Sequence, residues 1–286
     1  MKQLERLPSW LKKGFGNYPE VHEMKKDLHR FGLHTVCEEA RCPNLHECWS
    51  RGTATLMILG EVCTRHCGFC SVISGKTGKT DPHEPQKVAE MVQKMGLKHA
   101  VITMVARDDL TDGGAMHVAA VIRAVRERNP ETQIEILTSD FEGKEGSLDQ
   151  VIEARPDIFN HNLETVERLT SQVRHKATYE RSLAVLDYVQ KRAPMMKTKS
   201  GIMLGLGERE EEVGQALRDL RDVGCELLTI GQYLRPTMKN LPVVEYVRPE
   251  IFERWREEAL GMGFRNVASG PFVRSSYMAE ALSDGI

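Results

Sequence analysis

The chain has 286 residues, of which 41% are hydrophobic, so it is long enough to bury a large core without disulfide or metal staples. Its 39 basic and 41 acidic side chains leave a formal net charge of −2, which excludes the strongly basic character typical of nucleic-acid-binding proteins. No apolar run approaches the roughly 18 residues of a membrane span, and residues 1–6 lack the hydrophobic core of a signal peptide. We therefore expect a cytoplasmic protein that binds neither nucleic acid nor membrane.

Turn-forming and charged residues dominate the start of the chain, and we predict an N-terminal extension over residues 1–52. The β-branched and apolar run from Thr53 to Leu59 then predicts a buried strand, which Gly60 ends. Further strand-like runs follow, separated by amphipathic stretches that predict helices. The predicted strands are 53–59, 100–105, 133–138, 157–162, 198–204 and 226–233, and the predicted helices are 84–95, 116–128, 148–154, 179–192 and 210–223.

This alternation of strands and helices predicts an α/β protein with a parallel sheet wound in one direction. The region is short for the eight βα units of a complete barrel, which take about 250 residues. We therefore predict a partial, six-stranded (β/α)6 TIM-like barrel over residues 53–235, followed by a C-terminal extension over residues 236–286. In such folds the functional residues lie at the C-terminal ends of the strands.

Six of the seven cysteines form two groups of three, and this grouping is the strongest chemical signal in the chain. The second group follows the first predicted strand with C-x3-C-x2-C spacing, which lets three sulfurs of one loop bind a small inorganic centre. A metal centre usually takes four ligands, so a fourth position stays open for a substrate or cosubstrate. The two groups are Cys37, Cys42 and Cys48, then Cys63, Cys67 and Cys70.

A zinc site or a set of disulfides fits the spacing of the cysteines less well. A structural zinc site closes with four Cys or His ligands, and here it would have to include His46 or His66. Disulfides are not expected where cellular thiols are kept reduced. A non-catalytic protein that binds an iron-sulfur cluster or zinc nevertheless stays open as an alternative to an enzyme. Cys225 stands alone at the start of an apolar run, and we predict that it is a buried core residue.

The loop after the second predicted strand is a further candidate for ligand binding. Its paired glycines, Gly113 and Gly114, would let the backbone approach a ligand closely, and acids such as Asp112 could accept an ammonium group. Asn160 ends another predicted strand and would face the same barrel mouth.

The C-x3-C-x2-C loop after the first barrel strand is similar to the signature of radical S-adenosylmethionine (SAM) enzymes. The earlier triad, Cys37-x4-Cys42-x5-Cys48, resembles the signature of lipoyl synthases within that superfamily. The likeness covers nearly the whole chain, and it continues in residues 107–110, 159–165, 198–201, 229–233 and 270–277.

This resemblance implies two [4Fe-4S] clusters, with S-adenosyl-L-methionine as cosubstrate. The implied ligands of the cluster that binds SAM through its free iron are Cys63, Cys67 and Cys70. Those of an auxiliary cluster are Cys37, Cys42, Cys48 and Ser276, with Ser275 as the second choice for the serine. The residues expected around SAM are Thr103, Arg107, Asp112, Gly113, Gly114 and Asn160.

The implied reaction is radical insertion of two sulfur atoms at C6 and C8 of an octanoyl group on a carrier-protein lysine, with the auxiliary cluster as sulfur donor. The implied partners are the octanoylated lipoyl-carrier domain of 2-oxoacid dehydrogenase E2 subunits or the glycine-cleavage carrier protein, an electron donor such as ferredoxin or flavodoxin, and an iron-sulfur carrier. Another radical SAM sulfur-inserting enzyme, such as one resembling biotin synthase, is the alternative. It should not need the triad at Cys37 together with Ser276.

Overall fold

The computed structural model describes residues 7–12, 19–39, 42–50, 53–277 and 279–284. Residues 1–6, on which the signal-peptide prediction depends, lie outside this range. The strands, in chain order, are β1 (His34–Thr35), β2 (Thr55–Ile58), β3 (Val62–Cys63), β4 (Ile73–Ser74), β5 (His99–Met104), β6 (Gln133–Leu137), β7 (Ile158–Asn160), β8 (Lys197–Leu204), β9 (Leu227–Gln232) and β10 (Asn266–Gly270).

Helices separate most of these strands. They are α1 (Pro19–Phe31), α2 (Val36–Glu39), α3 (Leu45–Ser50), α4 (Glu84–Lys94), α5 (Ala115–Arg128), α6 (Glu145–Glu153), α7 (Glu167–Val173), α8 (Tyr179–Arg192), α9 (Glu210–Asp222), α10 (Pro249–Gly261) and α11 (Ala279–Asp284). Single 3-10 turns occur at Ser9–Leu11 and Phe141–Gly143. Within the described part of the chain, no helix is long and apolar enough to cross a membrane.

The main sheet has eight strands in the order β1-β2-β5-β6-β7-β8-β9-β10. Strand β1 pairs antiparallel with β2, and all the other neighbours are parallel. From β5 to β10 each new strand lies next to the one before it in the chain, so the sheet is wound in one direction. The prediction of an α/β protein with a singly wound parallel sheet is confirmed.

All six predicted strands are present, but the sheet contains a seventh parallel strand that the sequence pattern did not predict. This strand, β10, pairs with β9 and comes from the C-terminal part of the chain. Its residues, Asn-Val-Ala-Ser-Gly, are small or polar and all are only partly buried, so no apolar run marks it. The helix before it, α10, buries Phe252, Trp255 and Ala259 on one face.

Local signals explain why the barrel helices form where they do. In α5 the buried residues Val118, Ile122 and Val125 recur at intervals of three or four, which places one apolar face against the sheet. Helix α8 begins at a threonine cap, where the Thr178 side chain accepts a hydrogen bond from the Arg181 backbone N–H. These helices cover the outer face of the sheet.

The C-terminal helix α11 packs at the N-terminal ends of the strands. Lys197, which begins β8, donates to the Ser283 carbonyl at 3.0 Å, and Asn266, which begins β10, donates to the Leu282 carbonyl at 2.8 Å. The opposite end of the sheet, where the parallel strands have their C-termini, is the end at which functional residues lie in such folds.

Candidate metal centres

The second cysteine triad lies on a loop at the C-terminal end of β2. Cys63 ends β3, which pairs in parallel with β4 across the loop. The Gly75 backbone N–H donates to the Cys63 carbonyl at 3.0 Å, and the Ser74 hydroxyl donates to the Arg65 carbonyl at 3.0 Å. The loop that carries the triad is therefore closed on itself by a short ladder.

Each sulfur of this triad has a backbone N–H as a neighbour. The N–H of Arg65 lies 3.4 Å from Cys63 Sγ, and that of His175 lies 3.3 Å from Cys67 Sγ. Burial raises the pKa of the Cys70 thiol to about 12, although a hydrogen bond from the Val72 backbone opposes the rise. An unliganded thiol here keeps its proton, so iron binding has to displace it.

An ion-pair network fixes the base of the same loop, and nothing in the local sequence pattern predicted it. The buried Arg65 guanidinium lies 2.8 Å from Asp108 and 2.6 Å from Asp140. Burial alone would raise the pKa of Asp140, but hydrogen bonding and charge from Arg65 lower it to about 2. Asp108 follows β5 and Asp140 follows β6, so the network connects the loop to two strand ends.

The chain after β9 covers the loop from the other side. The Leu241 backbone N–H donates to the Gly68 carbonyl at 2.9 Å, and the Asn240 amide donates to the Cys70 carbonyl at 2.8 Å. A Cβ at Gly68 would lie 2.8 Å from the Leu241 side chain, closer than real Cβ contacts. The glycine between the last two cysteines therefore makes this close cover possible.

The first triad is built from two short helices near the N-terminus. Cys37 lies in α2, Cys48 lies in α3, and Cys42 lies between them, with its N–H donating to the Cys37 carbonyl at 3.0 Å. All three line one small cavity together with Ser276. The remaining lining residues of this cavity are Asn44, Thr53, Thr55, Arg274 and Tyr277.

Contacts between distant parts of the chain hold Ser276 at this cavity. Asn44 donates to the Phe272 carbonyl at 2.6 Å, and the Tyr277 hydroxyl lies 3.1 Å from Glu47. The Thr55 hydroxyl donates to Ser276 Oγ at 2.7 Å. The structure thus brings the four sequence-predicted auxiliary ligands together, whereas Ser275 is not among the residues that line the cavity.

The two segments that carry the triads are joined by a hydrogen bond. The Ser71 hydroxyl, one residue beyond Cys70, donates to the carbonyl of Glu39 in α2. The segment that carries the first triad is therefore held against the loop that carries the second.

The described part of the chain contains no group of three Cys, His, Asp or Glu side chains placed to hold one metal ion. The seventh cysteine stands apart from both triads. Cys225 is fully buried, and its Sγ lies 3.4 Å from the Leu227 carbonyl, which confirms it as a core residue.

The loop at Asp112 has contacts that begin a helix. Asp112 accepts hydrogen bonds from the backbone N–H groups of Gly114 and Met116, both at 2.9 Å. Gly114 has φ +92°, and a Cβ there would lie 2.6 Å from Leu59. At Gly113 a Cβ would lie 3.1 Å from the ring of Phe141. The space beside these two glycines, which we expected a ligand to use, is thus occupied by the side chains of Leu59 and Phe141.

Arg107 and Thr103 also have protein partners. The Arg107 guanidinium lies 2.8 Å from Asp109 and donates to the Gly78 carbonyl at 3.0 Å. The Thr103 hydroxyl donates to the Leu137 carbonyl at 3.1 Å. These contacts favour a structural role in the walls of the barrel mouth.

Asn160 differs from the other expected SAM neighbours, because it keeps an unused acceptor inside the barrel. Its amide nitrogen donates to Glu135 at 2.8 Å, and Lys199 donates to the same carboxylate at 2.8 and 2.9 Å. All three side chains are fully buried. Asn160 Oδ1 has no hydrogen-bond partner among the described residues, so it is an acceptor available to a ligand.

Asn162 and Glu164 form a second pair of an asparagine and a glutamate, and neither was among the predicted site residues. The amide nitrogen of Asn162 lies 3.1 Å from Glu164, and Asn162 Oδ1 is buried without a partner among the described residues. Burial raises the pKa of Glu164, which also has φ +69°. The sequence did offer a signal for this second pair. Asn160 and Asn162 are two positions apart at the end of a strand, so their side chains are expected on the same face of the sheet.

Comparison with known sequences agrees with this arrangement. Residues 57–220 match the radical SAM superfamily, and residues 1–42 match the N-terminal domain of lipoyl synthase of the radical SAM family. A lipoyl synthase from Rubrobacter xylanophilus is 54% identical over 95% of this chain and 85% of its own length. One from Chlorobaculum tepidum is 55% identical over 96% of this chain and 95% of its own length.

Solved structures share the fold at much lower identity. HydG, a maturase of the [FeFe]-hydrogenase, superposes with a TM-score of 0.60 at 14% identity, over 88% of this chain and 63% of its own. Methylornithine synthase (PylB) gives 0.56 at 14% identity, over 88% of this chain and 76% of its own. The likeness confirms the partial (β/α) barrel. Because both family matches and the relatives of nearly equal length agree, the chain belongs to the lipoyl synthase family of the radical SAM superfamily.

Proposed function

We propose that the two triads hold separate [4Fe-4S] clusters with different tasks. The chain is a lipoyl synthase, a sulfurtransferase that uses SAM and iron-sulfur clusters including an auxiliary one. The ligands assigned to the SAM-binding cluster are Cys63, Cys67 and Cys70, and those assigned to the auxiliary cluster are Cys37, Cys42, Cys48 and Ser276. The main support is the single cavity lined by the first three cysteines and Ser276.

When bound, the clusters and SAM supply a 5′-deoxyadenosyl radical and the two sulfur atoms that enter C6 and C8 of an octanoyl group. The protein holds these groups and orients them. Cys63, Cys67 and Cys70 would hold the cluster that binds SAM. Arg65 keeps their loop fixed through Asp108 and Asp140, and the chain at Leu241 covers the loop.

Ser276 gives the auxiliary site one oxygen ligand among sulfurs. An alkoxide oxygen is a harder donor than a thiolate and is less well matched to soft iron-sulfur centres. Ser276 would therefore hold the cluster less strongly than a fourth cysteine would. This difference suits a centre that has to give up sulfide during turnover.

The SAM pocket lies beside the second triad at the barrel mouth. Asn160 is its best supported member, since Oδ1 is buried and unpartnered among the described residues. Thr103, Arg107, Asp112, Gly113 and Gly114 form the adjacent wall through their contacts with neighbouring strands and α5.

Three units of the chain share this work. Residues 1–52 supply the first triad, and residues 53–235 form the first six parallel strands of the barrel. Residues 236–286 add β10, close the barrel and supply Ser276. The contacts of Asn44 with Phe272 and of Tyr277 with Glu47 support this division.

The substrate is an octanoylated carrier protein, either the lipoyl domain of a 2-oxoacid dehydrogenase E2 subunit or the glycine-cleavage carrier protein. A ferredoxin or flavodoxin supplies electrons, and an iron-sulfur carrier rebuilds the consumed cluster. A cytoplasmic location suits both the reduced thiols and these partners.

A turnover assay tests the function. Anaerobically reconstituted protein is given SAM, dithionite and an octanoylated lipoyl domain, and the intact mass of the domain is followed together with 5′-deoxyadenosine. Formation of 5′-deoxyadenosine with insertion of two sulfur atoms supports the proposal. Release of 5′-deoxyadenosine without sulfur insertion would point to another radical SAM reaction, and its absence would point to a non-catalytic iron-sulfur protein.

A further inference from the structure

Thr55 lies beside the residues assigned to the auxiliary cluster. Its hydroxyl donates to Ser276 Oγ at 2.7 Å, and it lines the cavity shared by Cys37 and Ser276. One residue of the sheet therefore contacts Ser276 and lines the cavity that the three cysteines share.

The position of Thr55 is fixed by the sheet. It begins β2, is 4% exposed, and pairs with Val101 of β5. The next residue, Leu56, pairs with Thr35 of β1. With neighbours on both sides, β2 is an interior strand, and side chains on such elements keep their geometry better than those on loops.

Ser276 does not lie on a strand or a helix that would fix its position in the same way. It lies in the turn between β10 and α11, and Arg274 and Tyr277 make contacts of their own nearby. A serine hydroxyl rotates among three staggered positions, and only some of them would direct Oγ toward the cysteines. A hydrogen bond from a rigid neighbour selects among them.

We propose that Thr55 is a positioning residue that holds Ser276 Oγ toward the three cysteines, so that the auxiliary site keeps its fourth ligand. This inference rests on the proposed role of Ser276 as a ligand. The Thr55 hydroxyl donates to one lone pair of Ser276 Oγ and leaves another for iron.

The test measures how firmly the auxiliary iron is held. In a chain with Cys63, Cys67 and Cys70 replaced by alanine, only the auxiliary site is left to bind a cluster. Loss of iron to a chelator is then followed under anaerobic conditions in four further variants of this chain: Thr55→Val, Thr55→Ser, Ser276→Ala and Thr55→Val with Ser276→Ala. Valine keeps the shape and strand preference of threonine without its hydroxyl, and serine keeps the hydroxyl.

A matched control excludes general loosening of the barrel. Thr198→Val removes the hydroxyl of another buried strand threonine, on β8. That hydroxyl donates to the Gly224 carbonyl at 3.2 Å. Thermal unfolding of each apo variant checks the fold.

We expect Thr55→Val to lose iron about three- to tenfold faster than the parent, which corresponds to the loss of one hydrogen bond. Thr55→Ser and Thr198→Val should match the parent. The double variant should lose iron no faster than Ser276→Ala alone, because Thr55 acts through Ser276.

The contrary outcomes are distinguishable. If Thr55→Val keeps its iron while Ser276→Ala loses it, Ser276 is a ligand and the positioning role of Thr55 is overturned. If the effects of Thr55→Val and Ser276→Ala multiply in the double variant, Thr55 acts independently of Ser276 and the inference also fails. If Ser276→Ala holds iron as well as the parent, the ligand assignment itself is wrong.

Discussion

The two cysteine triads are built in opposite ways. The second lies within one loop at the end of β2, and Arg65 connects that loop to the strand ends at Asp108 and Asp140. The first is divided between two short N-terminal helices, and Ser276 joins it from the other end of the chain. Asn44 and Phe272, which hold these parts together, are separated by 228 positions in sequence.

This difference suits the two tasks that we propose for the clusters. A cluster that must bind SAM in every turnover benefits from ligands on a loop fixed to the barrel. A cluster that gives up its sulfur must lose and regain ligands, and a ligand contributed by a separate segment can leave without disturbing the sheet. Five predictions test this contrast, and the first concerns the change that should have the strongest consequence.

Replacing the local triad should abolish the first step of the reaction. With Cys63, Cys67 and Cys70 changed to alanine, we expect no detectable 5′-deoxyadenosine, because no iron is left to bind SAM. The auxiliary site should still hold about four irons, since its ligands are elsewhere. Product analysis and iron content of the same preparation test both statements. Loss of all iron would show that the two sites do not form independently.

Breaking the ion pairs under the local loop should cost folding stability. Asp140→Asn leaves Arg65 buried with one carboxylate fewer, and we expect a loss of about 3 kcal/mol in the free energy of unfolding of the apo protein. Asp149→Asn removes a partner of Arg192 in a solvent-exposed pair and should leave the free energy of unfolding nearly unchanged. Urea unfolding of both variants measures the difference.

The same pair predicts a pH dependence with a definite sign. The pKa of Asp140 is lowered to about 2 in the folded protein, so its ionised form stabilises the fold. That contribution is complete above the unfolded value of about 4 and is lost as the pH falls toward 2. Between these two pH limits the free energy of unfolding should fall further in the parent than in Asp140→Asn. Urea unfolding at several pH values measures it, and parallel plots of this free energy against pH would contradict the low pKa of Asp140.

Replacing the oxygen ligand by sulfur should slow sulfur donation. Ser276→Cys offers iron a softer and stronger ligand, so we expect the auxiliary cluster to assemble normally and the sulfur insertion rate to fall about tenfold. Release of 5′-deoxyadenosine in the absence of the octanoyl substrate should not change. An unchanged insertion rate would show that release of Ser276 does not limit the reaction.

Removing the carboxylate of Asp112 should have the weakest consequence of the five. Asp112→Ala removes two hydrogen bonds at the start of α5, and we expect a loss of about 1 kcal/mol in stability. The affinity for SAM, measured by equilibrium binding to reconstituted protein, should stay within about twofold of the parent. A large loss of SAM affinity with unchanged stability would instead make Asp112 a direct SAM contact.

The barrel was largely predictable because its strands and helices carry clear apolar periodicity. The predicted helix at 179–192 matches α8, and the predicted strand at 133–138 ends one residue beyond β6. Strand β10 was missed since its residues are small and partly buried, and it is stabilised by pairing with β9. Such tertiary pairing overrides local preference.

The site was predictable where its chemistry is local. The spacing from Cys63 to Cys70 is a property of one loop, whereas the ion pairs of Arg65 with Asp108 and Asp140 depend on how strands meet in space. At Asp112 an acid followed by two glycines is equally typical of a ligand loop and of a helix start, and the sequence alone could not separate them.

The central claim is that residues from both ends of the chain hold a second cluster, and iron and acid-labile sulfide content tests it most directly. The parent is compared, after anaerobic reconstitution, with a variant in which Cys37, Cys42 and Cys48 are alanine. We predict about eight irons and eight sulfides in the parent and about four of each in the variant. About four irons in both proteins would contradict the account, because the first triad would then hold no cluster.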